Sequence, residues 1–430
     1  MTEQQREALD FRQNIAIALL AVLAVLLFSR TELFHLGWET LNDNFLSAPQ
    51  RAAPEQRETV ETGLRVPLRF AATGVYGGVY GRYVLINTNN RGRAFSAVRR
   101  LFADALTVSA PFEQSSREDF LSAIRGASLY CDFINPLPLS LLAGLTGTEL
   151  RDERPARAMT LTRAPDGVEL RLWDGAGTYL RRAAPLSVRE LDQIVSGYEF
   201  GGGLFAMDDI SYENVSPLSL FLETAPSEPV YSAVSGLPDI ESLLTAFQFN
   251  PLTKSRYTEA NGTQVIMEGG RSVRIRTNGV IYYQDSGRGD LRIEGAGETP
   301  SGWEAANECA ALLNGILVPQ GCASVYPLEI RRQDNLTALR FGCSLDNLPA
   351  LRADGEAAAV VTLDGRKIAS LEIRPRRYAV TNTESLLLPV EQALGLAETR
   401  PGAELFLAYQ DTGGARVNAQ WFAAPGLGLS

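Results

Sequence analysis

The sequence has one histidine, His35, and it lies beside the only long apolar run. This scarcity excludes Ser-His-Asp and Cys-His nucleophilic sites, histidine-based metal sites and a phospho-accepting histidine from everything after residue 35. Lysine is almost absent as well: Lys254 and Lys367 are the only two, so basic charge is carried by arginine. The four cysteines, Cys131, Cys309, Cys322 and Cys343, form no C-x-x-C pair and have no histidine near them, which argues against zinc. Four buried thiols are expected, with a Cys309–Cys322 or Cys322–Cys343 disulfide as the alternative in an oxidising compartment. The glycines between Gly74 and Gly81 match neither G-x-G-x-x-G nor a G-K-S/T loop, so no nucleotide phosphate is expected there. A net charge of −10 argues against nucleic acid as a partner. Neither a cofactor nor a metal is expected.

What the chain does have is the uncharged, proline-free run Ile15–Phe28. Its length, about 21 Å as a helix, is short of the ~30 Å hydrocarbon core. Arg30 can snorkel, and Leu33, Phe34, Leu36 and Trp38 extend the run as an interfacial turn. No small-x-small cleavage site follows, and no cysteine stands behind the run for lipid attachment. An uncleaved membrane anchor is therefore expected, a cleaved signal or a buried core helix being the alternatives. Arg6 and Arg12 precede it, which predicts a cytoplasmic N-terminus and extracytoplasmic C-terminal domains. Ala16, Ala18, Ala21 and Ala24 would allow close approach of a partner helix.

The expected fold class is α+β: one transmembrane helix, then about three extracytoplasmic domains of antiparallel meanders with packed helices. Residues 1–38 hold the cytoplasmic tip, the membrane helix and the interfacial turn, and 39–63 form a polar linker with Pro49 and Pro54. An N-terminal α+β domain is expected over 64–150. It has a strand at Leu68–Ala72, a glycine hairpin to a strand at Arg82–Asn87, helices over Phe95–Leu106 and after Ser116, and a strand at Ala127–Phe133. A central α+β domain is expected over 151–235, with strands at Ala158–Thr162, Val168–Trp173 and Tyr179–Ala183 and a helix over Ser187–Val195. In 236–430 a four-strand meander, Thr263–Met267, Arg271–Arg276, Val280–Tyr283 and Leu291–Ile293, turns at Gly269-Gly270 and Asn278-Gly279. A helix over Trp303–Leu313 then stops at Gly315. A second set of strands follows at Leu328–Arg332, Ala338–Cys343, Ala357–Leu363 and Lys367–Arg374. A helix near Leu387–Leu394 and a hairpin, Glu404–Tyr409 with Ala415–Phe422, close the chain, so the region reads as a duplicated meander-plus-helix module.

Several motifs read as background. Arg288-Gly289-Asp290 and the sequons at Asn214, Asn261 and Asn335 are of a kind that chance supplies. Trp173, Tyr282, Tyr283, Trp303 and Trp421 read as core aromatics. Asp208-Asp209 is a carboxylate doublet without a second cluster to work with, and no assembled active site is legible.

The layout resembles the YycH/YycI family of membrane-anchored regulatory proteins from Gram-positive bacteria. The resemblance rests on Phe247–Pro251 followed by Val265–Ile275 and Gly279–Tyr283, on the closing stretch from Leu407 to Trp421, and on Asp119–Ile124 leading to Tyr130–Phe133 and Pro136–Pro138. The scarcity of lysine and the short anchor depart from the family pattern. The resemblance implies no enzymatic activity. It implies contact with the sensor histidine kinase of a WalK/WalR (YycG/YycF) two-component system, through membrane-helix and extracytoplasmic contacts, with a YycI-like protein as co-partner. Two rival readings stand beside it: an anchored cell-envelope assembly, sporulation or germination protein, and an envelope hydrolase using carboxylates such as Asp208, Asp209 and Asp290. The hydrolase reading requires two facing carboxylates in a cleft.

Overall fold

The computed structural model describes residues 64–424 except 77–78, 225, 237–238, 251, 253–254, 287–290 and 399. The stretches placed in the anchor, its flanks and the linker lie outside these residues, as does Arg288-Gly289-Asp290. Among the described residues no helix is long and apolar enough to cross a membrane. Residues 60–430 form one compact unit, mixed α+β and rich in antiparallel strand.

The first sheet starts from the glycine hairpin. β1 (Pro67–Tyr76) and β2 (Val79–Asn89) pair antiparallel, Tyr76 opposite Val79. In α1 (Arg93–Leu106), Phe95, Val98, Phe102 and Ala105 recur at three- and four-residue spacing and are all buried. A short strand, β3 (Glu113–Ser115), leads into α2 (Arg117–Arg125), which starts where the Ser116 hydroxyl accepts from Asp119 N. Next come β4 (Ser128–Pro138), the almost wholly buried α3 (Leu139–Thr146), β5 (Pro155–Ala164), β6 (Gly167–Trp173) and β7 (Tyr179–Ala184). A Ser187–Glu190 capping box then opens α4 (Val188–Val195). The seven strands lie in the order β2-β1-β4-β5-β6-β7-β3. The division expected at residue 150 falls inside this sheet, because β4 and β5 pair along their lengths. The two stretches share one core rather than a linker.

A small ribbon, β8 (Gly203–Phe205) with β9 (Leu220–Leu222), precedes β10 (Pro229–Ser235) and α5 (Ile240–Ala246). The first meander is β11 (Arg256–Thr258), β12 (Gln264–Glu268), β13 (Arg271–Ile275) and β14 (Ile281–Asp285). Its fourth strand is β11, before the predicted three. Leu291–Ile293, predicted as the fourth, makes a single bridge from Arg292 to Lys367 and buries its two apolar side chains there. The long helix α6 (Gly302–Leu317) passes through Gly315 and ends only after a 3-10 turn at Gly321, where φ is +78°. The expected stop at Gly315 fails because that residue keeps helical geometry and is exposed, with no atom to clash against.

The second meander is β15 (Ser324–Gln333), β16 (Leu336–Leu345), β17 (Leu348–Arg352), β18 (Ala359–Asp364), β19 (Lys367–Ile373) and β20 (Arg376–Glu384). Two short helices, α7 (Val390–Ala393) and α8 (Gly395–Glu398), and the hairpin β21 (Glu404–Asp411) with β22 (Arg416–Ala424) complete the chain. The two meanders are parts of one 13-stranded sheet, because β14 pairs with β19. β10, β17 and β20 were not legible as strands. β17 follows an Asp346-Asn347 turn with φ of +45° and +66°, a left-handed pair that Asp and Asn tolerate without glycine.

Helices α3 and α6 pack closely enough that Trp303 lies on Gly144, where a Cβ would stand 2.1 Å from its ring. Gly144→Val should therefore destabilise the protein by about 1–3 kcal/mol through overpacking. Gly315→Ala should stabilise it by about 0.5–1 kcal/mol through lower unfolded-chain entropy. Urea unfolding of the two variants beside the parent measures both, and equal midpoints would contradict this packing.

Candidate functional site

Among the described residues an open groove of about 920 Å3 lies beside the first sheet. One wall is α2 with Gly126, contributing Ser122 and Ala123; the other is α4, contributing Arg189, Asp192 and Gln193. Its floor takes Gly74 from β1, Arg163 from β5 and Arg171 from β6. The floor is narrow at Gly74 because Val195 and Phe200 press on it; a Cβ there would meet Val195 Cγ1 at 2.3 Å.

The charges in the groove are mostly paired. Arg171, 5% exposed, donates to Asp119 at 2.6 Å, to Glu169 at 2.6 Å and to the Thr162 hydroxyl at 3.1 Å. The hydrogen bonds from Arg171 and Ser115 hold the Asp119 carboxyl below the usual carboxylate range. Arg163 and Asp192 face each other at 3.8 Å, while Arg189 is exposed. With Glu169 counted, three carboxylates stand against the three guanidinium groups, so the trough is polar and close to neutral. Neither Ser122 nor Ser196 has a histidine or lysine beside it in the lining.

A second constellation lies at the seam of the two large sheets. Arg69 on β1, Asp132 on β4 and Arg157 on β5 meet Glu404 on β21, each side chain at most 5% exposed. Arg157 donates to both Asp132 oxygens at 3.1 and 3.2 Å and to Glu404 at 2.5 Å. Arg69 pairs with Asp132 and with Glu404. Trp173 lies against the Arg157 guanidinium, 4.9 Å from its ring centroid. Burial alone would lower the arginine pKa values; the facing carboxylates reverse this and hold both above the ordinary value. Burial likewise pushes Asp132 up, but Arg157 and Arg69 outweigh it, so its pKa lies below 3.8. Asp132 also accepts from Ile134 N at 2.7 Å, holding Ile134 at a φ of +69°, a costly geometry for a β-branched residue. The recess lined by Arg69, Arg157 and Glu404 is about 10 Å3, the size of one water, so the cluster is a structural joint rather than a ligand site.

Of the residues singled out in the sequence, Ala16, Ala18, Ala21, Ala24 and Asp290 lie outside the described residues. Asp208 pairs with Arg82 and accepts from Phe205 N at 2.8 Å, whereas Asp209 caps a 3-10 turn by accepting from Ser211 N. The doublet is thus divided between two local structural tasks. The four cysteines are free and buried, and burial raises the pKa of each, Cys343 to about 11. Trp173, Tyr283 and Trp421 are buried, as expected of core aromatics. Among the described residues no group of three His, Cys, Asp or Glu is arranged to hold a metal ion. The ion cluster was missed because none of its four residues stands out in its own stretch; the one local signal was Asp132 and Arg157 inside otherwise apolar strands.

Breaking the cluster leaves buried charge unpaired. Glu404→Gln or Arg157→Met should cost about 3–5 kcal/mol, and the double variant should cost less than the two singles added together. Because the Asp132 pKa is depressed in the folded state, its contribution is present above pH 3.8 and is lost as pH falls through the lower folded value. Asp132→Asn should remove that part of the acid-unfolding profile, measured by urea midpoints at successive pH values.

No family model matches this chain, and no curated protein matches it.

Proposed function

We propose that this chain is a non-enzymatic, membrane-anchored regulatory protein that modulates a WalK/YycG-like sensor histidine kinase, with a YycI-like protein as a further partner. Ile15–Phe28 is the anchor, and the strand-rich body works on the extracytoplasmic side. The observation that carries this reading is the use made of the acidic side chains. Asp119, Asp132, Asp208, Glu404 and Asp411 are each held by an arginine. Such pairing gives these carboxylates structural tasks, which supports a non-enzymatic reading over proton transfer. The groove between α2 and α4 receives an extended segment of the partner, and Ala16, Ala18, Ala21 and Ala24 give the anchor a small-residue face for a partner helix.

Co-purification with the co-expressed kinase, with and without residues 1–38, tests the assignment. The full chain should capture the kinase and the truncated chain should capture less; no association in either form sinks the reading. Ala21→Leu and Ala24→Leu should impair regulation of the kinase while membrane insertion persists. Normal regulation in both would reduce the helix to a tether. Ala123→Trp, which fills the groove, should weaken capture without changing the unfolding midpoint.

A further inference from the structure

Glu228 stands just ahead of β10 and is 2% exposed. Its carboxyl bridges the two large sheets. One oxygen accepts from Asn87 Nδ2 on β2 at 3.2 Å, and the other accepts from the Tyr409 hydroxyl on β21 at 3.4 Å. Its backbone carbonyl accepts from Ser385 N at 2.7 Å, which ties the residue to the end of β20. Asn87 is gripped a second time, because its own carbonyl accepts from Asn347 Nδ2 at 3.3 Å. No arginine or lysine among the described residues pairs with Glu228, whereas Asp132 and Glu404 in the same seam each meet two arginines. The titratable groups that face it are Asp346, Tyr231 and Tyr409. Tyr231 donates its hydroxyl to the exposed Asp346 at 2.8 Å, and the two tyrosine rings meet edge to face at 5.2 Å. Glu384, opposite Pro229 on β20, is exposed and adds a carboxylate rather than a cation.

A buried carboxyl with neutral partners and an acidic neighbour is favoured in its protonated form. Burial first, and then the Asp346 charge, push Glu228 above its ordinary value, while the hydrogen bonds from Asn87 and Tyr409 work the other way. Asp119, Asp132, Asp174, Glu304 and Asp354 are shifted down instead. Burial moves the cysteines and the two neighbouring tyrosines further up, so they stay neutral. His35, the one histidine, lies outside the described residues. Among the described residues, then, Glu228 is the shifted carboxyl placed to give up its proton above the usual carboxylate range. Ionisation there leaves a charge without a cation between the two sheets.

We propose that Glu228 is a proton-operated clamp on the seam: with its proton it ties β2 to β10 and β21, and its ionisation as pH rises loosens the contact of Asn87 and Asn347 between the sheets. The cluster of Arg69, Asp132, Arg157 and Glu404 responds in the opposite sense, because the Asp132 contribution is lost as pH falls. Since the folded pKa of Glu228 is raised, its contribution is fully present below the ordinary value of 4.5 and is lost as pH rises through the folded value. Between those two values one proton lowers the folding constant about tenfold per pH unit. Urea unfolding of the full-length chain in detergent micelles, from pH 4.5 upward, tests this. Parent stability should fall as pH rises. Glu228→Gln keeps an acceptor for Asn87 and carries no charge, so it should lack that fall and should match or exceed the parent at neutral pH. Asp346→Asn, at a left-handed position that asparagine tolerates, should shrink the fall without abolishing it. Hydrogen exchange of the parent and Glu228→Gln, compared at each pH, locates the change: the excess exchange of the parent should grow with pH and be largest in β2. Equal pH profiles in the parent and Glu228→Gln, or an excess that spares β2, overturns the proposal. If Glu228→Gln misfolds, an unchanged profile in Asp346→Asn overturns it.

Discussion

Two buried arginines and two buried carboxylates hold the two large sheets in register with one another. Arg69, Asp132 and Arg157 come from three adjacent strands of the first sheet and Glu404 from the second. Removing four charges from water is costly, and only mutual pairing offsets it. The cluster therefore tolerates little displacement of β21 against β4 and β5. The same Asp132 holds the bulged stretch at Ile134, where the pairing of β4 with β5 shifts register before Leu137. The irregularity in β4 and the seam between sheets thus share one carboxylate.

Further polar contacts cross the seam. Asn347, in the left-handed turn between β16 and β17, donates to the Asn87 carbonyl of β2 at 3.3 Å and accepts from Asn89. Its neighbour Asp346 braces that turn within the second sheet, accepting from Tyr231 on β10 at 2.8 Å. On the apolar side, Trp303 closes over Gly144 and joins α6 to α3. The groove lies on the first sheet, away from these joints, between helices fixed by their own caps at Ser116 and Ser187.

Much of this architecture was legible in advance where signals are local. The periodicity of Phe95, Val98 and Phe102, the caps at Ser116 and Ser187, and the turns at Gly269-Gly270 and Asn278-Gly279 each place an element within a few residues. Among the strands that were missed, β3, β8, β9, β11 and β17 are three to five residues long and β20 is mostly polar, so their strand character comes from the neighbour they pair with rather than from alternation. Leu291–Ile293 erred the other way: an apolar triplet with strand composition met only one bridging partner. The groove was half legible, since its helices were anticipated but the meeting of Asp119 with Arg171 was not.

Residue type and order by themselves determined an apolar run at Ile15–Phe28, a single histidine that removes whole classes of chemistry, and a chain of hairpins and amphipathic helices. These depend on side-chain size, charge and spacing over a few residues, which the unfolded chain already possesses. Tertiary structure alone decided that the two meanders form one sheet, that the boundary at 150 lies inside another, and that Arg157 finds Glu404 across 247 positions. Pairing and desolvation are properties of segments brought together from far apart, and no local pattern encodes which distant partner a strand or a buried charge will meet.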